Sequence, residues 1–334
     1  MTGYLNTFLP FANSRKFLKL FVLIYFIFCN SIFSFANDFP SKPIKIVVAF
    51  PPGGATDVIA RLIAQKLSEK LKQPVIVENK VGAGGMIGTD FTAKSTPDGY
   101  TITYTASQHV VQPHLIKNMR YDAQKDFSTI AVVGNVPNAF VVHSSLPVNN
   151  INEFIKYARE NSGKLNYGSW GVGSSSHVFA EMIKNDKNLS ITHVPFQGAA
   201  PALFGLMSGQ IQMLTLPFSL VDEKNRPGSN IKVIGITTSK RMVALPEVAT
   251  FAEQGVEYRP SWQGFLGPAN IPNDVINILN REISSIVSDP QMIQVLAKNG
   301  VEVGVSSPQE YRARFNEDYE YWGRVLRLLK IQPE

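Results

Sequence analysis

The change of hydrophobic period around residue 50 constrains this chain more than any other feature. Ile44-Lys45-Ile46-Val47-Val48-Ala49-Phe50 is a short, β-branched run that stops at Pro51-Pro52-Gly53-Gly54. Beyond Asp57 the apolar residues Val58, Ile59, Leu62, Ile63, Leu67 and Leu71 fall on one helical face, with Lys and Glu opposite. A strand, a tight Gly turn and an amphipathic helix in that order begin an α/β domain. The alternation continues along the chain. Strands are expected over 75–78, 100–104, 140–143, 165–169, 191–195, 211–215, 232–237 and 264–266. Helices are expected over 86–94, 151–160, 176–184, 201–208, 272–287, 289–297 and 308–329. With 334 residues, of which 44% are apolar and 17% charged, the chain has the material for a substantial core. No repeat or low-complexity linker marks a domain boundary.

In open α/β sheets, ligands sit beyond the carboxyl ends of strands, against helix N-termini. Five connections in this sequence share one chemistry: Pro52-Gly53-Gly54-Ala55-Thr56-Asp57, Gly82-Ala83-Gly84-Gly85, Thr105-Ala106-Ser107-Gln108-His109, the 171–177 segment with Ser174-Ser175-Ser176-His177, and Phe196-Gln197-Gly198-Ala199-Ala200-Pro201. Glycine lets backbone N–H groups approach a ligand, and Ser and Thr add hydroxyls. The following helix adds its positive end, which makes an anion site without Arg or Lys. Each loop alone is also an ordinary helix cap. Asp57 suits two compatible roles, an acid at a helix N-terminus and a clamp or polar contact in the site.

The first 36 residues read as a targeting segment. Arg15, Lys16 and Lys19 precede an apolar run from Leu20 to Phe28, and Ser34-Phe35-Ala36 offers small residues at a cleavage site. Asn30, Ser31 and Ser34 interrupt the run too early for a membrane span, so cleavage after Ala36 and export are expected. The single cysteine, Cys29, lies in this segment, behind a Phe28 that a lipoprotein signal would not carry. Removing the segment lowers the net charge from +6 to +3, since Arg15, Lys16 and Lys19 have no acid beside them. No basic stripe is left for nucleic acid, and no nucleic-acid partner is expected.

Enzyme motifs do not assemble. The 171–176 segment has Ser176 where a dinucleotide fingerprint needs its third glycine, and neither a phosphate loop nor a Gly-x-Ser-x-Gly elbow occurs. His109, His114, His143, His177 and His193 lack metal-ligand spacing. Ser175 or Ser176 with His177 could serve an exported hydrolase, but adjacent side chains rarely meet and no third member is visible. Neither catalysis, a metal nor a cofactor is expected.

The run Pro43 to Asp57 resembles the opening of Bug-type receptors, the extracytoplasmic solute-binding proteins of tripartite tricarboxylate transporters. Val77-Glu78-Asn79-Lys80-Val81-Gly82-Ala83-Gly84-Gly85, Pro97-Asp98-Gly99-Tyr100, Gly163-Lys164-Leu165-Asn166-Tyr167-Gly168, the 193–202 run His-Val-Pro-Phe-Gln-Gly-Ala-Ala-Pro-Ala and the 244–248 run Ala-Leu-Pro-Glu-Val are similar in order, from about Pro40 to Trp322-Gly323. The resemblance implies a two-lobed, Venus-flytrap periplasmic binding protein of type II-like α/β fold, each lobe a mixed sheet flanked by helices. Residues 37–139 with 263–334 would form one lobe and 140–262 the other. It further implies a monomer that carries a small carboxylate to membrane transporter subunits, or alternatively a sensor for a signalling partner. Ligand contacts are expected from Gly54, Ala55, Thr56, Asp57, Ser107 and Gln108 in the first lobe. Ser174, Ser175, Ser176, Gln197, Gly198 and Ala199 would act from the second. Leu216 stands about where the family often has an acid, which points away from an amino-acid ligand. Leu216, Phe196, Phe218, Trp170 and Phe50 are then expected near a neutral or apolar far end of the ligand.

Overall fold

The computed structural model describes residues 39–171, 174–221, 228–242 and 245–329. Lys42 begins one compact unit that runs to the end of the chain, and the targeting segment with its Ala36 site lies outside the described residues. The first sheet contains β1 (Ile44–Val48), β2 (Val75–Asn79), β3 (Thr101–Ala106), β4 (Phe127–Val136), β10 (Ser261–Pro268) and β11 (Glu302–Val303), in the order β11-β4-β10-β3-β1-β2. The second contains β5 (Asn138–His143), β6 (Leu165–Ser169), β7 (Ile191–Pro195), β8 (Met213–Pro217) and β9 (Ile231–Ile236), in the order β7-β6-β8-β5-β9. Both are mixed. In the first sheet β1, β2 and β3 run parallel, while β10 lies antiparallel between β3 and β4. In the second, β6 is parallel to β7 and β8, while β5 lies antiparallel between β8 and β9.

Nine α-helices flank the sheets among the described residues: α1 (Ala55–Leu71), α2 (Met86–Ala93), α3 (Gln108–Val111), α4 (Ile151–Glu160), α5 (Ser175–Asp186), α6 (Ala199–Met207), α7 (Asn273–Val287), α8 (Pro290–Lys298) and α9 (Pro308–Leu328). Their local chemistry is conventional. α4 starts where Asn150 accepts from the Glu153 N–H and buries Ile151, Phe154, Ile155 and Ala158 on one face. α9 starts at a Ser307–Glu310 capping box with Pro308 at its first position. β1 is covered on both faces, so Ile44, Ile46, Val47 and Val48 are fully buried, as expected for a strand between two helical layers.

The chain passes from the first sheet to the second at Pro137 and is back in the first by Ser261. The expected break after Ala139 therefore falls inside β5, and that before Gln263 inside β10. One buried cluster includes residues beside both sheets: Val178 of α5 is grouped with Trp262 and Leu266 of β10 and with Tyr311, Phe315 and Trp322 of α9. No helix among the described residues is long and apolar enough to cross a membrane.

Candidate functional site

Strand ends from both sheets converge on a cavity of about 700 Å³. From the first sheet come Phe50, Gly84, Ser107, Gln108, Trp262 and Gln263. The crossover supplies Val136 and Asn138. The second sheet contributes Trp170, Gly171, Ser174, Ser175, Val178, Ala199 and Pro217, and α9 adds Trp322. None of the described lining residues is Asp, Glu, Lys, Arg or His. The wall is apolar along Phe50, Val111, Leu115, Ile116, Trp170 and Trp322, with a few placed hydroxyls and amides, the usual make-up of a small-molecule pocket.

The second-sheet wall is built from β6 outward. Ser174 caps α5, its hydroxyl accepting from the His177 N–H at 3.3 Å and donating to the Gly171 carbonyl at 2.7 Å. Ser175, the first residue of α5, is exposed to the cavity. Ser176 is buried instead, and its hydroxyl accepts from the Trp170 N–H at 3.3 Å, so it holds the loop from below. α6 begins after Gly198, whose φ of +115° suits glycine, and no side chain caps it. Its leading donors are the N–H groups of Ala199 and Ala200, since Pro201 has none, and Ala199 lines the cavity, where helix N-terminal N–H groups suit an anion.

A stack of three rings supports this loop. His193 lies between Tyr167, at 4.8 Å, and His177, at 4.2 Å, in near-parallel planes. The Ser169 hydroxyl donates to the Gly171 carbonyl at 3.0 Å, so the His193 Nε2 at 2.7 Å carries the hydrogen and donates to Ser169. Tyr167 donates to Glu181, which also pairs with Lys184. Burial, reinforced by His177, holds His193 down at about 4, below its ordinary 6.5. Burial likewise holds His109 at about 4. Between these values and 6.5 the unfolded chain binds more protons than the folded one. The contribution of these two histidines is thus constant above about pH 6.5 and lowers stability as the pH drops toward 4, by at most about 1.4 kcal/mol per pH unit for each proton. Urea midpoints measured across this range are expected to show the fall, and His193→Gln, which retains a donor for Ser169, is expected to make it shallower while the His109 contribution remains.

On the first-sheet side Asp57 is a clamp. Its carboxylate accepts from the Gly53 N–H at 2.9 Å, from Arg61 Nε at 2.9 Å and from Asn79 Nδ2 at 2.8 Å. Asn79 also donates to the Phe50 carbonyl, so the Pro-Pro-Gly-Gly turn is tied to α1 and β2. Arg61 above all holds Asp57 down at about 2. Gln108 and Gln112 both donate through Nε2 to the Gly84 carbonyl, at 3.1 and 2.7 Å, and fix the Gly-rich loop at the cavity edge.

Of the residues expected at the site, Ser107, Gln108, Ser174, Ser175 and Ala199 meet on the cavity wall. Gly54, Thr56, Asp57, Ser176, Gln197 and Gly198 do not line it, and Ala55 opens α1. A Cβ at Gly54 would meet only the Pro51 carbonyl at 3.5 Å, an ordinary contact, so a methyl group fits there. Two apolar expectations change as well. Leu216 pairs with Ala139 and is fully buried in the second-sheet core, with Phe218 in the same cluster. Phe196 packs over Gly205, where any Cβ would strike its ring. Phe50 and Trp170 do face the cavity. The wall also uses Gln112, Asn138, Trp262, Gln263 and Trp322, which motif and loop chemistry passed over; their signal was the nearness of Asn138 and Gln263 to the two crossovers, where a cleft must open.

Two mixed α/β lobes with a ligand-sized cavity bordered by both have the architecture of a solute-binding protein. Residues 59–331 match the model of the tripartite tricarboxylate transporter family receptor. A UPF0065 protein of Bordetella pertussis is 34% identical over 328 residues, covering 97% of this chain and 99% of that relative. The chain belongs to the tripartite tricarboxylate transporter family receptors, the Bug-type receptors. Two solved structures have the same fold. An R. palustris protein with adipate is 31% identical, with a TM-score of 0.74 and coverage of 89% of this chain and 100% of that one. MatC from Rhodopseudomonas palustris, with bound malate, is 28% identical, with a TM-score of 0.69 and coverage of 86% and 100%. The protein is thus a solute-binding receptor of a tripartite tricarboxylate-type system and not an enzyme.

Proposed function

We propose that this receptor captures a small carboxylate in the cavity and delivers it, as a monomer, to the membrane subunits of its transporter. The observation that carries this is a polar wall without a formal charge, made of the α5 and α6 N-termini with the Ser174 and Ser175 hydroxyls. Such a wall suits a carboxylate, because oriented N–H groups and hydroxyls stabilise an anion without a counter-ion. Ser107 and Gln108 would complete the contacts from the first lobe. The Gly54–Asp57 turn and Gln197-Gly198 act as supports around the cavity. The malate and adipate in the two R. palustris proteins support the same ligand class. The first lobe would comprise the chain up to Pro137 and from about residue 261, and the second lobe the part between.

Export would follow cleavage after Ala36, so the intact mass of the periplasmic form should begin at Asn37, and a mass that retains the first 36 residues would refute cleavage. Thermal melting across a panel of mono-, di- and hydroxycarboxylates tests the binding claim. At least one acid is expected to raise the melting temperature by several degrees, as ligand linkage requires. No shift from any acid, alongside a shift from amines or neutral sugars, would overturn it.

A further inference from the structure

We infer that Gln263 is a ligand-binding residue, an amide donor from the first sheet whose direction is set by the Tyr104 hydroxyl and which takes an oxygen of the bound acid. Gln263 lines the cavity although it is only 7% exposed. Its place follows from the pairing of β3 with β10. The two strands are antiparallel, with Tyr104 opposite Phe265 and Ala106 opposite Gln263. Residues two apart in a strand share a face, so Tyr104 and Gln263 are diagonal neighbours on one side of the sheet. Ser107, the residue after Ala106, lines the same cavity, and its N–H donates to the Trp262 carbonyl at 2.9 Å. Ser107 and Gln263 therefore reach the cavity from neighbouring places in the sheet.

The Gln263 amide is half used. The Tyr104 ring is fully buried beside Phe265, with centroids 4.8 Å apart, and its hydroxyl donates to Gln263 Oε1 at 2.6 Å. Burial raises this hydroxyl well above its ordinary 10, so it keeps its proton throughout the neutral range. Gln263 Nε2 donates to no described residue. The two ends of the amide are not interchangeable. Turning it over would set Nε2 against the Tyr104 oxygen and leave the Tyr104 hydrogen with no acceptor among the described residues, which is costly at a buried site.

Tyr104 thus leaves the nitrogen of a cavity-lining amide as its unspent part. That nitrogen is an uncharged donor, and the oxygens of an ionised acid can only accept. A donor held in one direction before binding gives up little conformational freedom when it takes its acceptor. An amide free to turn would present its oxygen as readily as its nitrogen. The buried hydroxyl removes that choice without touching the ligand, which makes Tyr104 a positioning residue and Gln263 the contact.

The inference rests on the carboxylate proposed above, so the experiment separates the two. Malate, adipate, hexanoate and benzoate would be titrated calorimetrically into the wild-type protein. The acid that binds most tightly is then carried into Gln263→Met, Tyr104→Phe and the double variant. Gln263→Met is expected to weaken it at least about tenfold, and Tyr104→Phe, which keeps the donor but frees its direction, about threefold. The double variant is expected to lose no more than Gln263→Met alone, because Tyr104 acts on affinity only through Gln263. A Gln263 that merely satisfied Tyr104 would lower the urea midpoints of these variants and leave affinity unmoved. Affinity within about twofold of wild type in Gln263→Met would overturn the inference alone, and so would losses that multiply in the double variant. Tyr104→Phe removes one hydroxyl and no ring packing, so it answers by itself should Gln263→Met not fold; unchanged affinity there would also overturn the inference. Binding of none of the four acids to the wild type would remove the carboxylate proposal and this inference together.

Discussion

Replacing Ser175 with aspartate is expected to weaken carboxylate binding by more than about a hundredfold while leaving the protein as stable as before, or slightly more so. Ser175 is the first residue of α5 and faces the cavity. An acid in the first turn of a helix is favourable by about 0.3–1 kcal/mol. The same acid beside a bound carboxylate is not. Two like charges about 4 Å apart, at the effective dielectric of a partly buried site, repel by about 4 kcal/mol, which corresponds to several hundredfold in affinity. Ser175→Asn, of nearly the same size but neutral, should bind far better than Ser175→Asp. Melting temperature and affinity moving in opposite directions distinguish this outcome from damage to the fold. Affinity for the best acid within a few-fold of wild type in Ser175→Asp would place the anion elsewhere.

The largest loss of stability is expected from Trp262→Ala, about 5 kcal/mol in urea unfolding. The indole is fully buried, edge-on to Tyr311 at 5.2 Å and beside Phe315. Its Nε1 donates to Asp318 at 2.9 Å, and that carboxylate is also buried, with Arg259 at 3.4 Å and Arg314 at 3.7 Å. Truncation to alanine removes a large core side chain, which costs about 3–5 kcal/mol. It also takes a donor from a buried carboxylate, adding about 1–3 kcal/mol. Burial already pushes Asp318 above its ordinary range despite these partners, so there is little compensation to draw on. Trp262→Phe keeps most of the packing and loses the donor, so about 2 kcal/mol is expected. Equal losses for the two variants would mean that the Asp318 bond, lost in both, carries the effect and packing does not.

Where periodicity was strong, the sequence was a good guide. α4 falls on 151–160 as expected, and the helices over 272–287, 289–297 and 308–329 differ from α7, α8 and α9 by at most one residue at each end. β4 was missed. Its run Phe127–Val136 is buried on both faces, so it lacks alternation, and Gly134-Asn135 reads like a hairpin turn. Gly134 is there for another reason, because a Cβ would collide with the Glu302 carbonyl of β11.

Four of the five Gly- and Ser-rich loops at strand ends contribute residues to the cavity wall, and both glycine and helix caps leave local traces in a sequence. Which serine faces the cavity depends on one helical step: Ser175 looks out and Ser176 is buried under Trp170. Loop composition cannot carry that distinction. Leu216 shows the complementary limit. Strand alternation puts it with Leu214 in the second-sheet core, while Pro217, the next residue, lines the cavity.

The most direct test of an anion site made from neutral dipoles is calorimetric titration of the best-binding acid from the carboxylate panel into wild-type, Ser175→Asn and Ser175→Asp proteins. One ligand per chain is expected for wild type, with measurable binding to Ser175→Asn and more than a hundredfold loss in Ser175→Asp. Undiminished binding to Ser175→Asp would contradict the assignment of the carboxylate to the α5 N-terminus.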